Sequence, residues 1–590
     1  MATFRPTPPP PPISISTWRG VNEAVGLTGL ALGETLRQVD FRITSDGKLE
    51  EREGHNTLIN YANIKDVQGM WEGYIGGKHV LISCNDGKVY EYNFATLTNT
   101  QIGTMTDAKT SMLYFESKLL FFNGTDYKEY SGTVFQNVVP YVPTLRIATP
   151  PAGGGTFNQV VNLLTGRKKQ EFQGDGIATV FQLAELNIDA DLVTCKIDGA
   201  IKVEGTDFTV NRVTGKVTFT VIPPSGSLVI PEWTKVDITH ADFIKKNRFA
   251  MTFGPDNDTS IFLWGNTAQG NRRSWCASLN YGYWPMINYT YVGTNEYAIT
   301  DIKAQNANYQ IIFKEDRTHY STATQVTLPN GTVKYDYFVY DLNEAVGNVP
   351  FNGVQLIGDN AVSADNNSWW KWQIGAVESH RSADVISQRL QQSLSLANLS
   401  LAITFNYKAK KEYWCNINEV VYIWNYGNNT MYTFENIAGT CFLEINGTVF
   451  YGSKGTIEKM EGLEDNGVEV IPQADTGFYP FGGINLLKSS DMIYVGLLPD
   501  IKTSLTVSFK TNKITDWKQI RRTARYSLLD FNNYDFNNYT FLTNRNPQTF
   551  ALEFSSNDYT YIQFRLENIE VNETCTVLDF LVQAEIQGEV

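Results

Sequence analysis

Short β-hairpins recur along most of this chain, and they restrict its fold more than any other feature of the sequence. The first clear hairpin covers residues 78–92, where apolar and polar residues alternate on either side of the turn Asn85-Asp86-Gly87. Alternation with a period of two, broken by residues that tolerate positive φ, is typical of strands joined by tight turns. Comparable hairpins lie at 118–130, 247–264, 309–320, 354–372, 411–432 and 448–460. Intervals of roughly 35–65 residues, apart from one larger gap near 140–240, indicate a β-propeller of repeated blades.

A second β pattern fills the gap in the hairpin series. The stretch Thr149 to Gly155 is rich in Pro and Gly, which the interior of a strand does not accept. Residues 171–236 then have their own strands, near 178–183, 192–203, 207–220 and 227–233, and their own turns. We expect a small β-sandwich over residues 168–240, inserted into the propeller.

The pattern changes again after Gly482-Gly483. Alternating strands near 504–510, 549–554 and 559–566 predict a C-terminal β-sandwich over 481–590. The segment Asp530 to Tyr539 repeats Asn with aromatic residues, as in an adhesive exposed loop. One helix, Ala383 to Leu399, is predicted from apolar residues at helical spacing, as a packing element. The predicted fold class is all-β, with the propeller over 18–167 and 241–480.

Residues 1–17 cannot form a compact structure alone, because Pro6 and the run Pro8 to Pro12 impose a polyproline II conformation. This proline-rich extended arm is either a disordered tail or a segment that docks on a neighbouring subunit. We expect a short helix or loop after it, leading to a hairpin with the turn Ser45-Asp46-Gly47.

The charge excludes one class of protein and leaves another open. A formal net charge of −14 argues against a protein that clamps nucleic acid through phosphate neutralisation. It does not exclude a surface past which DNA slides. The longest basic run, Arg167-Lys168-Lys169, is interpreted as a solvated loop rather than a phosphate site.

The cysteines and the hydropathy pattern indicate where the chain folds. Six cysteines lie far apart without a CxxC pair, which favours reduced, mostly buried thiols and folding in a cytoplasm. No apolar stretch approaches the roughly 18 residues needed to span a membrane, and no signal segment is recognised.

No catalytic, cofactor-binding or metal-binding residue is predicted, and the chain is expected not to be an enzyme. It has five histidines without metal-ligand spacing, and it lacks the serine-hydrolase, zinc-protease and phosphate-loop motifs. A glycosidase-type carboxylate pair has no support in the sequence. The segment Ser363 to Trp370 resembles the Asp box of sialidase propellers, which is a turn element without a catalytic role. Trp369, Trp370 and Trp372 are interpreted as blade packing first and a glycan platform second.

Several short motifs resemble β-propeller virion proteins of tailed bacteriophages, namely the head-completion, tail-hub and nozzle proteins. The opening of those proteins is matched at Gly20-Val21-Asn22, Leu32-Gly33-Glu34, Val39-Asp40-Phe41, Asp46-Gly47-Lys48-Leu49 and Arg52-Glu53-Gly54. Later matches are Ile261 to Asn266, Trp284-Pro285, Val292-Gly293, Ile311 to Glu315, Leu342 to Gly347, Phe450-Tyr451-Gly452, Gly455-Thr456-Ile457 and Lys488. The 171–236 segment looks like the accessory β modules that decorate phage structural proteins.

The resemblance implies a structural component of the virion at the head-to-tail junction or in the tail, acting as a stopper, hub or nozzle. Such proteins form rings, commonly of six copies, contact portal, adaptor or other tail proteins, retain packaged DNA and form a conduit for its ejection. Assembly in the cytoplasm of a host bacterium, without a membrane partner or a cofactor, agrees with the composition. The alternative is a glycan-binding or glycan-cleaving propeller of the sialidase type.

Overall fold

The computed structural model describes residues 9–236, 243–255, 259–306, 309–327, 333–365, 367–373, 383–530 and 540–589. These residues are almost entirely β-structure and fall into two compact units. The first unit contains the described residues within 1–67, 353–373 and 381–590, and the second those within 68–352. Most of the strands form four-stranded antiparallel meanders, the repeat of a β-propeller, so the predicted fold class is confirmed.

Four meanders, named blades 1 to 4 in chain order, belong to the second unit; the first strand of blade 1 begins at Val67, the last residue of the first unit. Their strands are, for blade 1, Val67–Ile75, Lys78–Asn85, Lys88–Asn93 and Thr98–Thr104; for blade 2, Ser111–Phe115, Lys118–Phe122, Tyr127–Tyr130 and Phe135–Asn137; for blade 3, Phe249–Phe253, Ser260–Trp264, Arg272–Trp275 and Tyr289–Tyr291; and for blade 4, Ile299–Asn306, Tyr309–Lys314, Thr318–Thr327 and Val333–Asn343.

Blade 2 shows why the central strands are so apolar. Leu119 and Phe121 point to one face and pack in a core with Val80 and Ile82 of blade 1. Leu120 and Phe122 point to the opposite face and pack in a core with Ile261 and Leu263 of blade 3. Both faces of the strand are therefore buried, so the sequence KLLFF is apolar at consecutive positions instead of alternating.

Blades 5 to 7 belong to the first unit. Their strands are, for blade 5, Gln355–Ile357, Asn360–Ala364, Trp369–Trp372 and Ala383–Val385; for blade 6, Ile403–Tyr407, Glu412–Ile417, Val420–Asn425 and Thr430–Phe434; and for blade 7, Cys441–Ile445, Thr448–Gly452, Thr456–Met460 and His55–Asn60. The fourth strand of blade 7 thus comes from the N-terminal part of the chain, and it pairs antiparallel with Thr456–Met460. Two short strands, Glu464–Asp465 and Val468–Glu469, extend this sheet.

The predicted inserted sandwich is present in the second unit. One sheet contains the strands Arg167–Lys169, Phe172–Gln173, Thr194–Ile197, Ala200–Lys202 and Leu228–Thr234, and the other Val180–Gln182, Phe208–Asn211 and Lys216–Phe219. The two sheets enclose their own core, which includes Phe172, Phe181, Phe208, Phe219 and Trp233. A separate two-stranded ribbon, Arg146–Ile147 with Thr156–Phe157, precedes the sandwich. Residues 237–240 of the predicted module lie outside the described residues.

The C-terminal sandwich of the first unit is built from both ends of the chain. One sheet contains Ile13–Ile15, Phe41–Ile43, Leu49–Glu51, Leu486–Leu497, Gln548–Tyr559, Thr576–Val582 and Glu585–Glu589. The other contains Gly20–Val21, Glu34–Val39, Gln473–Thr476, Lys502–Thr511, Lys518–Gln519, Ala524–Ser527 and Ile562–Glu567, and it continues into blade 6 as one eleven-stranded sheet. A bridge between Val39 and Thr433 joins the sandwich strands to the blade.

Two expectations about the N-terminal segments are corrected. Ile13–Ile15 of the proline-rich arm pairs with Phe580 to Val582 of its own chain, because Ile15 gains a buried position there. The first eight residues of the arm lie outside the described residues. The strands between residues 18 and 51 belong to the C-terminal sandwich or its sheet rather than to a blade, although the predicted Ser45-Asp46-Gly47 turn is confirmed.

The predicted helix Ala383 to Leu399 is wrong over most of its length. Its start is the last strand of blade 5, and the only α-helix among the described residues of this segment is Gln391–Leu396. Two 3₁₀ turns, Gln388–Leu390 and Leu399–Leu401, flank that helix. In the predicted loop Asp530 to Tyr539, residues 531–539 lie outside the described residues.

The inserted sandwich should be removable. The backbone NH of Lys235 donates to the carbonyl of Gly166 at 2.9 Å, so the two ends of the module are adjacent. Replacing residues 167–234 with a short Gly/Ser linker should therefore leave a cooperatively folded protein, as measured by circular dichroism and thermal melting. The same linker inserted after Gly166 without any deletion is the control, and global unfolding of the shortened protein alone would contradict this account.

Candidate functional site

A cluster of buried charged side chains lies in the first unit, where the N-terminal hairpin meets the strands of blades 6 and 7. Arg52 is fully buried and donates through Nε to Asp40 Oδ1 at 2.7 Å. Its two terminal nitrogens donate to both carboxylate oxygens of Asp465, at 2.9 and 2.6 Å. One of them also donates to the carbonyl of Glu435. The guanidinium therefore ties the hairpin to residues far along the chain.

Asp465 receives a further contact from the closing strand of blade 7. His55 Nδ1 lies 2.9 Å from Asp465 Oδ1. Burial would raise the pKa of Asp465, but the hydrogen bonds from Arg52 and His55 outweigh it and hold that pKa below its usual range. The carboxylate is consequently charged when the protein is folded, as a buried two-pronged Arg pair requires.

Arg42 forms the second half of the cluster. Its Nε donates to Glu412 Oε1 at 2.6 Å and its Nη1 donates to Glu53 Oε2 at 2.7 Å. Glu412 also accepts hydrogen bonds from the Tyr432 hydroxyl and the Trp414 indole, both at 2.8 Å. Burial alone would raise the pKa of Glu53, but Arg42 lowers it to about 2. Both carboxylate oxygens of Glu412 accept from partners of its own chain, which leaves little capacity for a substrate.

Glu51 lies beside this cluster and has a neutral side chain as its hydrogen-bond partner. Its Oε2 accepts a hydrogen bond of 2.9 Å from Asn568, whose own carbonyl oxygen accepts from Ser504. Burial raises the pKa of Glu51 to about 8, and this outweighs the lowering effect of Asn568 and Arg52. A protonated carboxyl group therefore lies between the N-terminal hairpin and the C-terminal strands at neutral pH.

The predicted Asp box forms a turn. The carboxylate of Asp365 accepts from the backbone NH of Asn367 at 3.2 Å and of Ser368 at 3.1 Å, between the second and third strands of blade 5. Asn366 lies outside the described residues. Trp369 packs edge-on against Tyr413 at 5.1 Å between ring centroids, and the Trp372 indole donates to Ser363. These contacts support blade packing for the two buried tryptophans, while Trp370 is half-buried.

A buried histidine and lysine lie together in blade 4. His319 Nδ1 is 2.7 Å from Asp341 Oδ1, and burial lowers the pKa of His319. Burial also lowers the pKa of Lys314, whose ammonium donates to the carbonyls of Val292 and Thr294. Lowered pKa values of this kind occur in catalytic sites. Here the His319 side chain is only 3% exposed and the ammonium is bound by carbonyls, so the arrangement favours packing over substrate contact.

Two further features could hold a small ligand. A polar recess of about 390 Å³ in the first unit has Arg19, Asp46 and Arg389 in its wall, but the Arg389 guanidinium is already engaged by Glu34 and a carbonyl. In blade 4, the rings of Tyr309, Tyr320 and Tyr340 stack across three strands at 5.4 and 5.1 Å. The tyrosine faces cover one another, as cross-strand pairs do, which leaves mainly the outer face of Tyr340 open.

The described residues also bear on metal binding, on disulfide bonds and on membrane-spanning helices. No group of three or more His, Cys, Asp or Glu residues with metal-binding geometry occurs among the described residues. Five of the six cysteines are buried, as predicted, and none is bonded to another. No helix of the described chain has the length and hydropathy needed to cross a membrane.

The Arg52 cluster should dominate the stability of the first unit. Replacing Arg52 with Met leaves Asp40 and Asp465 buried without their cation, and such a loss costs about 3–5 kcal/mol in the free energy of unfolding. Urea denaturation would measure it. Arg37→Met is the matched control, because the Arg37–Glu435 pair is 52% and 41% exposed and such surface pairs contribute about 0–1 kcal/mol. Equal effects of the two substitutions would contradict the role assigned to Arg52.

Glu51 should make the folded state sensitive to alkaline pH. The folded protein holds this proton up to about pH 8, whereas the unfolded chain releases it near pH 4.5, so the stability that it contributes is lost as pH rises through this window. Glu51→Gln should remove that loss. Relative to the wild type, the variant should gain more than about 1 kcal/mol between pH 5 and pH 8, since one pKa unit corresponds to about 1.4 kcal/mol.

Urea denaturation at both pH values measures this difference, with Glu50→Gln on the same strand as control. A constant difference between wild type and the Glu51 variant at the two pH values would show that Glu51 is ionised in the folded protein.

Comparison with known proteins assigns no family to this chain. No protein-family model matches the chain, and no curated protein matches it. Similar solved structures include a chain of the mitotic checkpoint complex, with 8% identity, a TM-score of 0.33, and coverage of 69% of this chain and 95% of that one. YCF48 bound to D1 peptide gives 8% identity, a TM-score of 0.34 and the same coverage. The exo-β-1,3-galactanase of Phanerochaete chrysosporium gives 9% identity, a TM-score of 0.18, and coverage of 81% and 96%.

Proposed function

We propose that this chain is a structural component of a tailed-bacteriophage virion, placed at the head-to-tail junction or in the tail as a stopper, hub or nozzle ring. In this role it retains packaged DNA and forms a conduit for ejection. It acts in the virion, after assembly in the cytoplasm of the host bacterium. Its partners are further copies of itself, in a ring of about six copies as in the phage proteins that it resembles, together with portal, adaptor or other tail proteins.

The observation that carries the proposal is the construction of the first unit from both ends of the chain. Strands at residues 13–51 complete the C-terminal sandwich, and the strand His55–Asn60 closes blade 7. The sandwich and blade 6 share one eleven-stranded sheet, so they cannot separate without breaking that sheet. A unit whose sandwich and blade resist separation suits a component that holds back DNA under load.

The cluster of buried charge supports the same role. Its Arg, Asp and Glu side chains are bound mainly to one another and to backbone carbonyls of the same chain, which is the arrangement of a structural joint rather than a reaction centre. The acidic balance of the chain also fits a conduit, because a surface of negative charge gives passing DNA no gain from counterion release.

The second candidate, a glycan-binding or glycan-cleaving propeller, has one specific observation in its favour. Tyr340 is 46% exposed at the end of a tyrosine stack, and an exposed aromatic ring is a common contact for a sugar ring. Its neighbours bring no carboxylate pair into a described cleft, so binding would be favoured over cleavage. Affinity for a glycan in a persistently monomeric protein would favour this candidate.

The proline-rich arm gives a test of subunit contact. Pro9, Pro11 and Pro12 are exposed, whereas Ile15 is buried in the sandwich of its own chain. Deleting residues 2–12 should therefore weaken ring or virion assembly while the isolated subunit keeps its melting temperature, because a stiff arm loses little entropy when it docks. Analytical ultracentrifugation of the purified chain and DNA retention by particles are the measurements.

A deletion of residues 2–17 is the matched comparison, since it also removes Ile15. That larger deletion should lower the melting temperature of the subunit itself. If the 2–12 deletion assembles normally and its particles retain DNA, the exposed prolines take no part in assembly.

A further inference from the structure

A strongly basic edge lies on the C-terminal sandwich, in contrast to the acidic balance of the chain. Residues 510–525, with the sequence KTNKITDWKQIRRTAR, contain six basic residues and one acidic residue, while the whole chain has a formal net charge of −14. Five of the six basic residues are exposed, and the four of them other than Arg525, namely Lys513, Lys518, Arg521 and Arg522, are named the basic edge. None of these four has an ion-pair partner among the described residues, so their charge is uncompensated within this part of the chain.

The basic edge is held rigidly by apolar residues between its charges. Ile520 and Ala524 are buried in the core of the sandwich, and Ile514 packs against the same core. The backbone NH of Ile520 donates to the carbonyl of Val507, and Lys518 pairs in register with Phe509 of the long strand Lys502–Thr511. The apolar side chains face inward, so the surface left outside is cationic.

Two arginines near the basic edge have acidic partners and are therefore not part of it. Arg525 is paired with Glu570 and Glu573, and Arg565 binds Asp475 through two hydrogen bonds. Within the described part of the chain, these neighbouring arginines have acidic partners and the four residues of the basic edge have none. A surface of exposed cations without acidic partners attracts a dense polyanion.

We propose that the basic edge binds the phosphate backbone of double-stranded DNA without sequence preference. A regular line of phosphates offers each exposed Lys or Arg a separate partner, and the released counterions drive the association. The described edge has no outward apolar side chain, which a membrane-surface site would need. Trp517 is flanked by Lys510 at 4.6 Å and Arg565 at 4.3 Å from its ring centroid, so its ring is engaged by side chains of its own chain instead of stacking on bases of a single strand.

This inference rests on the proposed function only for the source of the DNA, the packaged genome. The proposal adds a contact between the basic edge and DNA, which the net negative charge of the whole chain does not indicate. One local cationic edge per subunit would give the DNA a weak, salt-sensitive holding point. Four phosphate contacts per subunit are few enough for DNA to leave, because each contributes modestly and is screened by salt.

Fluorescence anisotropy of a labelled 20-base-pair duplex with the full-length protein tests the inference between 50 and 200 mM NaCl. The logarithm of the association constant should fall against the logarithm of salt concentration with a slope of about −3.6, from four contacts at about 0.9 each. The variant K513Q/K518Q/R521Q/R522Q should lose at least about tenfold in affinity at 50 mM NaCl, and each single substitution should reduce the slope by about one.

The control variant K109Q/K196Q/K216Q/K454Q makes the same change in net charge at exposed lysines elsewhere, and it should bind DNA like the wild type. K513R/K518R should also bind like the wild type, because phosphate contact needs the charge. Melting temperatures establish that each variant is folded.

Absence of duplex binding by the wild type at 50 mM NaCl, equal losses in the two quadruple variants, or binding to phosphatidylglycerol vesicles but not to DNA would each overturn the inference. Ring formation, measured separately by sedimentation, distinguishes it from the proposed function. Intact rings that do not bind DNA would contradict only the DNA contact of the basic edge. DNA binding without ring formation would contradict only the proposed role in the virion.

Discussion

The buried guanidinium of Arg52 is the interaction on which the first unit depends. It joins Asp40, next to the strand that enters the eleven-stranded sheet, to Asp465, next to the strand that closes blade 7. A buried Arg pair is stabilising only when its hydrogen bonds are satisfied, and here both carboxylates and a carbonyl accept from one side chain. The position of the N-terminal strands thus follows from charge pairing as well as from apolar burial.

The ion pairs of Arg52 help to explain why strands from both ends of the chain share the same sheets. The strands between residues 13 and 60 are too short and too few to bury a core by themselves, so they take places in sheets formed by residues 403–589. Breaking the joint would expose Trp18 and Phe41, which are both buried in the shared core. The same construction connects the fold to the proposed role, since it makes the propeller blades and the sandwich of the first unit mechanically continuous.

The sequence predicted local structure well and sheet membership poorly. The turn at Asp86-Gly87 has positive φ at both residues, as the Asn-Asp-Gly motif indicates, and the Asp198-Gly199 turn of the inserted sandwich is alike. Nothing local shows that the strand Glu34–Val39 joins the sheet of Gln473–Thr476 and Thr433, because these partners are hundreds of residues away. The helix prediction was right that Leu390 and Leu394 are buried. It was wrong about the start of the segment, because the spacing of apolar residues did not reveal the strand Ala383–Val385.

The sequence analysis missed the basic edge because apolar residues such as Ile514 and Ile520 lie between its charges. The net charge of successive short segments, rather than the length of a basic run, would have found it.

The role as a virion component rests on assembly, and electron microscopy of the purified full-length chain at micromolar concentration tests it most directly. A closed ring requires that one face of a subunit binds a different face of the next, and a specific contact of this kind buries more than about 1,000 Å². We expect class averages of a closed ring with an open central channel, wide enough for duplex DNA. A population of single subunits that does not change with protein concentration would contradict the account.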